Sequence, residues 1–156
     1  MPRVSDIEVL YRLEQPVLYI STKTNVNNLP NAIGESFVKL GAFLEDSVEL
    51  LTDIPFVAFP GYENMDENNM SVVVGFPISR KLQGRGEIQS SVLPEGKIIF
   101  CMHRGDYGGM GPLYQDMADW IKENGYESAG TCYEYYYNGP NFPEEEMLTR
   151  VVIPLK

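Results

Sequence analysis

The chain opens with an alternation of apolar and polar residues. Over residues 7–23 apolar side chains fall at alternate positions, as at Val9 and Tyr11. Such alternation is typical of a half-buried strand, and Pro16 marks a place where a strand would bend. The pattern predicts one long strand or a broken one.

The period becomes helical after Asn28. Apolar side chains on one helical face are Ile33, Phe37, Leu40 and Leu44. Asn28 or Asn31 can cap the first turn, and Pro30 is compatible with it because a first-turn N–H has no partner within the helix. We therefore predict a helix that continues to about Leu51.

Two strands, at residues 54–59 and 71–78, complete a β-α-β-β unit. A linker rich in Gly and Ser follows, and the same order of elements then returns. The second unit contains a strand at 97–103, a helix at about 110–124, and strands at 130–138 and 147–155. Gly125 is predicted to end the helix.

The two units can be superposed by a shift of about 77 residues. The shift matches apolar helix residues: Phe37 with Tyr114, Leu40 with Met117, and Phe43 with Trp120. Self-similarity at a fixed distance indicates an internal repeat. We predict one domain over residues 1–156, with a first repeat at about 7–80, a linker at about 81–95 and a second repeat at about 96–156.

The predicted fold class is α+β. Both helices must bury an apolar face, and an antiparallel sheet with the two helices on one face allows this. A pseudo-twofold axis between the repeats leaves a cleft between the helices, where organic ligands commonly bind. Glu134 replaces Val57 under the 77-residue shift, so the halves differ where a ligand charge would be met.

Composition restricts the classes of function. The 156 residues are 44% hydrophobic and 22% charged, which fits one globular domain. The formal net charge of -10 repels phosphate backbones and attracts cations, so we expect no direct nucleic-acid binding. The sequence shows neither a signal peptide nor an apolar run long enough for a membrane helix. We therefore expect a cytoplasmic protein. Cys101 and Cys132 are expected to be reduced thiols.

The segment from Thr131 to Tyr137 places one carboxylate among four tyrosines. Glu134 is the leading site residue, because a carboxylate among aromatic faces attracts flat organic cations. The alternative is an edge strand with a solvated glutamate and core tyrosines, since strands favour aromatic residues. Cys132, Glu134 and Tyr136 share one strand face, which makes Tyr136 the stronger tyrosine candidate.

Other aromatic and methionine side chains are candidates for the walls of the cleft. Trp120 and Met117 lie on the predicted second helix, while Tyr107 and Met110 lie in a glycine-rich segment before it. Three phenylalanines could line the other half of the cleft: Phe56, Phe59 and Phe76. A core position is the alternative for Trp120 and the phenylalanines, because such side chains also dominate core burial.

Motifs for metal or nucleophilic chemistry are scarce. His103 is the single histidine, which excludes a zinc site of the HExxH type. The acidic clusters at residues 66–67 and 144–146 are interpreted as solvated loops. We predict no metal and no cofactor. A thiol-imidazole pair of Cys101 and His103, two positions apart in one strand, is an alternative.

Several motifs of the second half occur in the order and spacing of a known family. They are His103-Arg104-Gly105-Asp106-Tyr107, a helix with Leu113, Tyr114, Trp120 and Ile121, then Glu123-Asn124-Gly125-Tyr126, Tyr133-Glu134-Tyr135-Tyr136 and Val152-Ile153-Pro154-Leu155. By these motifs the chain resembles the GyrI-like small-molecule-binding family. This module is the effector-binding part of several AraC- and MerR-type regulators and also occurs free-standing.

The resemblance implies tandem β-α-β-β modules around a central cavity for lipophilic, often cationic, compounds. It places Glu134 at the position of the family's glutamate. Nothing before Ile7 could hold a helix-turn-helix domain, so we expect a free-standing member. Some free-standing members hydrolyse cyclopropane-bearing electrophilic toxins.

Three hypotheses for function remain open. The first is multidrug-type binding of lipophilic aromatic compounds, preferably cations, beside a buried glutamate. The second is hydrolysis of a cyclopropane-bearing toxin, with Glu134 as general base and Tyr136 or Tyr107 donating to the oxygen that gains charge. The third is an acidic protein that binds and inhibits a macromolecular partner.

Overall fold

The computed structural model describes residues 3–45, 50–139 and 141–156. These residues form eight strands and two α-helices. In chain order they are β1 (Glu8–Arg12), β2 (Gln15–Thr24), α1 (Leu29–Phe43), β3 (Phe56–Pro60), β4 (Met70–Pro77), β5 (Gln89–Leu93), β6 (Gly96–Arg104), α2 (Gly111–Glu123), β7 (Thr131–Tyr136) and β8 (Leu148–Pro154). The predicted α+β class is confirmed.

The eight strands form one antiparallel sheet in the order β1-β6-β8-β7-β3-β4-β2-β5. The two β-α-β-β units meet at the β7–β3 pair, and the strand order of one unit mirrors that of the other. At this seam Val57 pairs directly with Glu134, the two residues that the 77-residue shift matches. The arrangement agrees with the predicted duplication, which stays a prediction.

Both helices pack on the same face of the sheet. Leu40 of α1 and Leu113, Met117 and Ile121 of α2 belong to one buried cluster with apolar side chains from the strands. A smaller cluster, which includes Phe56, covers the opposite face. Because neighbouring strand residues point to opposite faces, the face of a residue decides whether it can reach a cleft beside the helices.

The second helix ends at the glycine that the sequence indicates. Gly125 has a φ of +74°, a conformation that glycine adopts without a steric penalty. The Tyr126 N–H donates to the Ile121 carbonyl, and the Gly125 N–H donates to the Lys122 carbonyl. This is the Schellman arrangement, which satisfies the last helix carbonyls and turns the chain towards β7.

The first predicted strand is broken before the expected bend. Residues 13–14 separate β1 from β2, and Pro16 lies inside β2, where its carbonyl accepts a hydrogen bond from the Ile78 N–H. The break allows β1 to pair with β6 while β2 pairs with β4 and β5. Long-range pairing therefore places the break, and the proline does not.

The first helix is shorter than predicted. It ends at Phe43, and residues 46–49, which the prediction included in the helix, lie outside the described residues. Leu51 forms an isolated bridge with Ile78. The apolar period around Leu51 thus reflects packing beside β4, which local periodicity cannot distinguish from a helical face.

The predicted linker at 81–95 contains a strand that the sequence analysis missed. β5 pairs with β2 at the end of the sheet. Ser90 and Ser91 occupy its centre, and serine carries little strand preference. The pairing depends on the available edge of β2, which is a tertiary feature.

Within the described residues, neither helix has the length and apolar character that crossing a membrane requires.

Candidate functional site

A cavity of about 540 Å³ lies on the helix-covered face of the sheet, between the start of α1 and the first turns of α2. This volume is in the range of small-molecule sites. Both halves of the chain contribute to its walls. The lining is mostly apolar and aromatic and includes Leu29, Phe59, Tyr62, Met65, Met70 and Tyr114.

Glu134 lies on the sheet side of this cavity and is 9% exposed. The hydroxyl of Tyr114, on α2, donates to Oε2 at 2.5 Å, and the hydroxyl of Tyr136 donates to Oε1 at 2.7 Å. Among the described residues, no lysine or arginine forms an ion pair with it. Two neutral donors therefore hold the carboxylate in place.

Burial raises the pKa of Glu134 above its ordinary value. The hydrogen bonds from Tyr114 and Tyr136, and then the neighbouring His103, act in the opposite direction without cancelling the effect of burial. Loss of hydration disfavours the charged form, whereas a nearby cation favours it. The ionisation of Glu134 is therefore sensitive to what occupies the cavity.

The two tyrosines keep their protons. Burial, followed by the charge of Glu134, raises the pKa of Tyr114 and of Tyr136 well above the ordinary value. Both hydroxyls therefore remain donors towards Glu134 at neutral pH.

Tyr107 is half-exposed, and its ring centroid lies 4.9 Å from that of Tyr136.

Two buried polar side chains lie in register with Tyr136 on the neighbouring strands β8 and β6. Strand register places Thr149 opposite Tyr136 on one side and opposite His103 on the other. His103 Nε2 lies 2.8 Å from the carbonyl oxygen of Asp106, so this nitrogen donates. His103 Nδ1 and Thr149 Oγ1 are buried with no hydrogen-bond partner in the described part of the chain.

The thiols near the site are not activated nucleophiles. Burial raises the pKa of Cys132 to about 12 and that of Cys101 to about 11. Both thiols therefore stay protonated at neutral pH. His103 uses Nε2 to bond the Asp106 carbonyl, so the structure gives no support to the alternative of a thiol-imidazole pair with Cys101.

The alternation expected along β7 is present in the structure. Cys132 and Tyr136 pack in the cluster beside the helices, whereas Tyr133 and Tyr135 pack on the opposite face. Phe56 lies on that opposite face as well, with its ring centroid 5.2 Å from that of Tyr133. Phe56 therefore cannot line the cavity, because strand geometry points it away from the helices.

The remaining candidates are divided between the cavity and the core. Phe59 lines the cavity. Met110 and Met117 are buried in the core cluster, and Phe76 packs against Phe37. Trp120, on the last turn of α2, stacks on Tyr126 with ring centroids 5.8 Å apart. None of these last four residues is among those that line the cavity.

The sequence analysis missed Tyr114 as a site residue. It matched Tyr114 with Phe37 as an apolar helix residue and named it in the helix motif of the family, but not among the candidate site residues. Tyr114 precedes Met117 by three positions and therefore lies on the same side of α2, which was the available signal. The hydroxyl group is what distinguishes Tyr114 from a core residue, and its partner is twenty positions away at Glu134.

The α+β fold, with a mostly apolar cavity beside its two helices, is suited to a small-molecule-binding domain. The chain belongs to the GyrI-like small molecule binding domain family, whose model matches residues 5–156. The sequence matches none of the curated proteins with which it was compared.

Solved structures share this fold at low sequence identity. EcmrR in a DNA complex is 17% identical with a TM-score of 0.78, and the match covers 97% of this chain and 57% of the EcmrR chain. A hydrolase encoded by lin2189 from Listeria innocua is 11% identical with a TM-score of 0.72, covering 99% and 93%. SAV2435 bound to tetraphenylphosphonium is 11% identical with a TM-score of 0.62, covering 97% and 94%.

Proposed function

We propose that the cavity binds lipophilic aromatic cations and that Glu134 supplies the opposite charge. The observation that carries the proposal is the buried Glu134 carboxylate. It faces a mostly apolar cavity, and its hydrogen-bond partners in the described residues are tyrosine hydroxyls. A buried carboxylate without a cationic partner is costly, and a bound cation removes part of that cost.

The walls favour a delocalised cation over a small hydrated one. A large aromatic cation loses little hydration on entering the cavity, and its apolar body covers surface on residues such as Phe59 and Met70. Tyr62 and Tyr114 present aromatic rings that attract positive charge. A metal ion gains neither contribution.

The comparisons support this class of ligand without identifying it. The GyrI-like family is a small-molecule-binding family, and the neighbour SAV2435 has been solved with tetraphenylphosphonium. That neighbour shares only the fold, so its ligand serves here as a probe. Because the net charge of this chain is -10, we propose that it does not contact nucleic acid directly.

The test compares tetraphenylphosphonium with triphenylphosphine oxide, a neutral aryl compound, by isothermal titration calorimetry. Tetraphenylphosphonium should bind the wild-type chain, and Glu134→Gln should weaken this binding by about tenfold or more, or about 1.4 kcal/mol. Affinity for the neutral compound should change little. Glu63→Gln is the matched control, because Glu63 also lines the cavity but is exposed.

Equal losses for the cation and the neutral compound in Glu134→Gln would contradict charge recognition and would indicate a structural role for Glu134. A larger loss in Glu63→Gln than in Glu134→Gln would assign the charge effect to the cavity rim. No saturable binding of either compound would contradict the proposed ligand class.

Hydrolysis of a cyclopropane-bearing electrophile is a second candidate function. One observation favours it: Glu134 has a raised pKa and lies between two protonated tyrosines. A carboxylate with a raised pKa is a better general base near neutral pH. The tyrosine hydroxyls are donors that can stabilise an oxygen as it gains charge.

The proposed reaction adds water across the strained ring. Glu134 takes a proton from water as the water oxygen bonds to a cyclopropane carbon. The ring carbon–carbon bond breaks, and its electron pair moves into a conjugated carbonyl. The carbonyl oxygen takes a proton from Tyr136 or Tyr114, and the proton held by Glu134 then returns to that tyrosine.

A conjugated cyclopropyl dienone is a suitable substrate for this test, with the ring-opened alcohol measured by chromatography. Glu134→Gln should lower turnover by at least about a hundredfold, a typical contribution of a general base. Tyr136→Phe should lower turnover while retaining binding. A wild-type rate equal to that in buffer would remove this candidate and leave the binding proposal unaffected.

A further inference from the structure

The outer edge of β1 is apolar and exposed. β1 is at one end of the sheet and pairs with β6, and no strand of the described residues pairs with its other side. Leu10 is 49% exposed, Tyr11 is 60% exposed, and Leu13, which follows the strand, is 73% exposed. An exposed apolar edge is a template on which another strand can pair.

The other end of the sheet lacks this character. β5 has the sequence Gln-Ser-Ser-Val-Leu over Gln89–Leu93, with a polar centre. Five of the ten exposed large hydrophobic residues in the described part of the chain lie between Val4 and Leu13, and none lies in β5. The apolar edge is therefore a specific property of β1.

The sequence of β1 is complementary to itself. Leu10 is the central residue of Glu8–Arg12. When two copies lie antiparallel about a twofold axis at Leu10, Glu8 of each copy faces Arg12 of the other. Val9 then faces Tyr11, and Leu10 faces itself. Opposite charges and pairs of an aromatic with a β-branched residue are favourable cross-strand neighbours.

Neither Glu8 nor Arg12 has an ion-pair partner among the described residues. Glu8 is exposed. Arg12 donates through Nη2 to the carbonyl oxygen of Pro94 at 3.1 Å. Its Nε and Nη1 are buried without an acceptor in the described part of the chain, and its guanidinium carbon lies 6.0 Å from the centroid of the Tyr133 ring. The Arg12 side chain must therefore turn towards the open edge to meet Glu8 of a second copy, which gives these nitrogens an acceptor.

We infer that two copies of the chain associate through β1 and join their sheets edge to edge. The residues specify a second copy as the occupant, because the strand that matches the charges of β1 in antiparallel register is β1 itself. The interface lies at the end of the sheet, where β6 and β8 separate β1 from the central pair β7 and β3 in the strand order. It does not depend on the proposed ligand.

Sedimentation equilibrium on the full chain tests this dimer. The wild-type protein should show twice the chain mass of 17.6 kDa. Glu8→Arg and Arg12→Glu each place like charges opposite one another at both ends of the pair, which is destabilising. Each should raise the dissociation constant of the dimer by about tenfold or more. Glu35→Arg, an equivalent charge change on the exposed surface of α1, should leave it unchanged.

The sharpest result comes from mixing the two variants. A mixture of Glu8→Arg with Arg12→Glu pairs a basic strand with an acidic one, so the charges at both ends are again opposite. The mixture should form a heterodimer with nearly the wild-type dissociation constant. A mixture that stays monomeric while the wild type dimerises would overturn the proposed register.

A covalent readout keeps the inference testable if a charge variant folds poorly. Leu10→Cys should form a disulfide-linked dimer under mild oxidation, because directly opposite Cβ atoms are close enough for a disulfide. Val38→Cys, 72% exposed on α1, should not. A monomeric wild type, or equal cross-linking of the two cysteine variants, would overturn the dimer.

Discussion

Burial of Glu134 costs stability, and in the proposed function the same burial favours binding of a cation. Its carboxylate is buried, and its pKa is raised because loss of hydration disfavours the charge. The same loss of hydration strengthens attraction to a cation in the cavity. The hydrogen bonds from Tyr114 and Tyr136 limit the cost, and they also fix the direction in which the carboxylate faces.

We expect Glu134→Gln to gain stability relative to the wild type as pH rises, in the absence of ligand. An acid with a raised pKa in the folded state binds its proton more tightly when folded. Its contribution to the free energy of unfolding is therefore full below the ordinary pKa of 4.5 and is lost as pH rises through the raised value. Glutamine lacks this titration, so the variant should avoid the loss.

Urea unfolding at a series of pH values from about 4.5 to 8 measures this difference. Glu63→Gln provides the control, because Glu63 is an exposed carboxylate on the same cavity. A wild-type chain and a Glu134→Gln chain with parallel pH profiles would show that the folded environment does not raise the pKa of Glu134. Tetraphenylphosphonium should reduce the wild-type loss at high pH.

At the scale of elements, the two faces of the sheet have different surroundings. The face covered by α1 and α2 contains the cavity. The opposite face holds a smaller aromatic cluster in which Phe56 lies over Gly75, its cross-strand partner on β4. Because strand residues alternate between faces, Phe56 and Val57 are neighbours in sequence with separate surroundings.

We expect Gly75→Ala to lower the free energy of unfolding by about 1–3 kcal/mol, which is typical of overpacking. A Cβ at position 75 would lie 2.2 Å from Cζ of Phe56, so the ring must move. Affinity for tetraphenylphosphonium should remain unchanged, since Phe56 packs away from the cavity. Thermal unfolding and calorimetric titration measure the two quantities.

Gly34→Ala is the matched control for this prediction. Gly34 lies in α1, and a Cβ there would meet no atom within 4 Å. Alanine should raise stability by about 0.5–1 kcal/mol at such a helix position. If Gly75→Ala were as stable as the wild type, the close approach of Phe56 to β4 would be refuted.

At the scale of the whole molecule, we expect the formal net charge of -10 to attract the proposed cationic ligands before they reach the cavity. Long-range attraction raises association rates for oppositely charged partners and weakens as salt increases. The distance over which exposed charges act falls from about 30 Å at 0.01 M salt to about 8 Å at 0.15 M. In the proposed function, Glu134 acts in contrast at short range inside the cavity.

We therefore expect the association rate of a fluorescent rhodamine cation to fall with added salt in both the wild type and Glu134→Gln. Glu134→Gln should mainly raise the dissociation rate, because it removes a contact made only in the bound state. Stopped-flow fluorescence separates the two rates. An association rate independent of salt would show that the net charge does not guide the ligand.

The order of elements within each β-α-β-β unit and the faces of their strands follow from the sequence alone. Local backbone geometry imposes a period of 2 residues on strands and 3.6 residues on helices. The apolar pattern therefore predicts a β-α-β-β unit in each half of the chain. The alternation also assigned Glu134 and Tyr136 to one face, and Gly125 indicated the end of α2 because only its conformational freedom allows that turn.

Only the tertiary structure decided which side chains meet. Tyr114 reaches Glu134 from another element, whereas Met117, one turn further along α2, is buried in the core. β5 became a strand because β2 offered it an edge, and β1 was separated from β2 by its pairing with β6. Such contacts join residues far apart in sequence, and local periodicity contains no information about them.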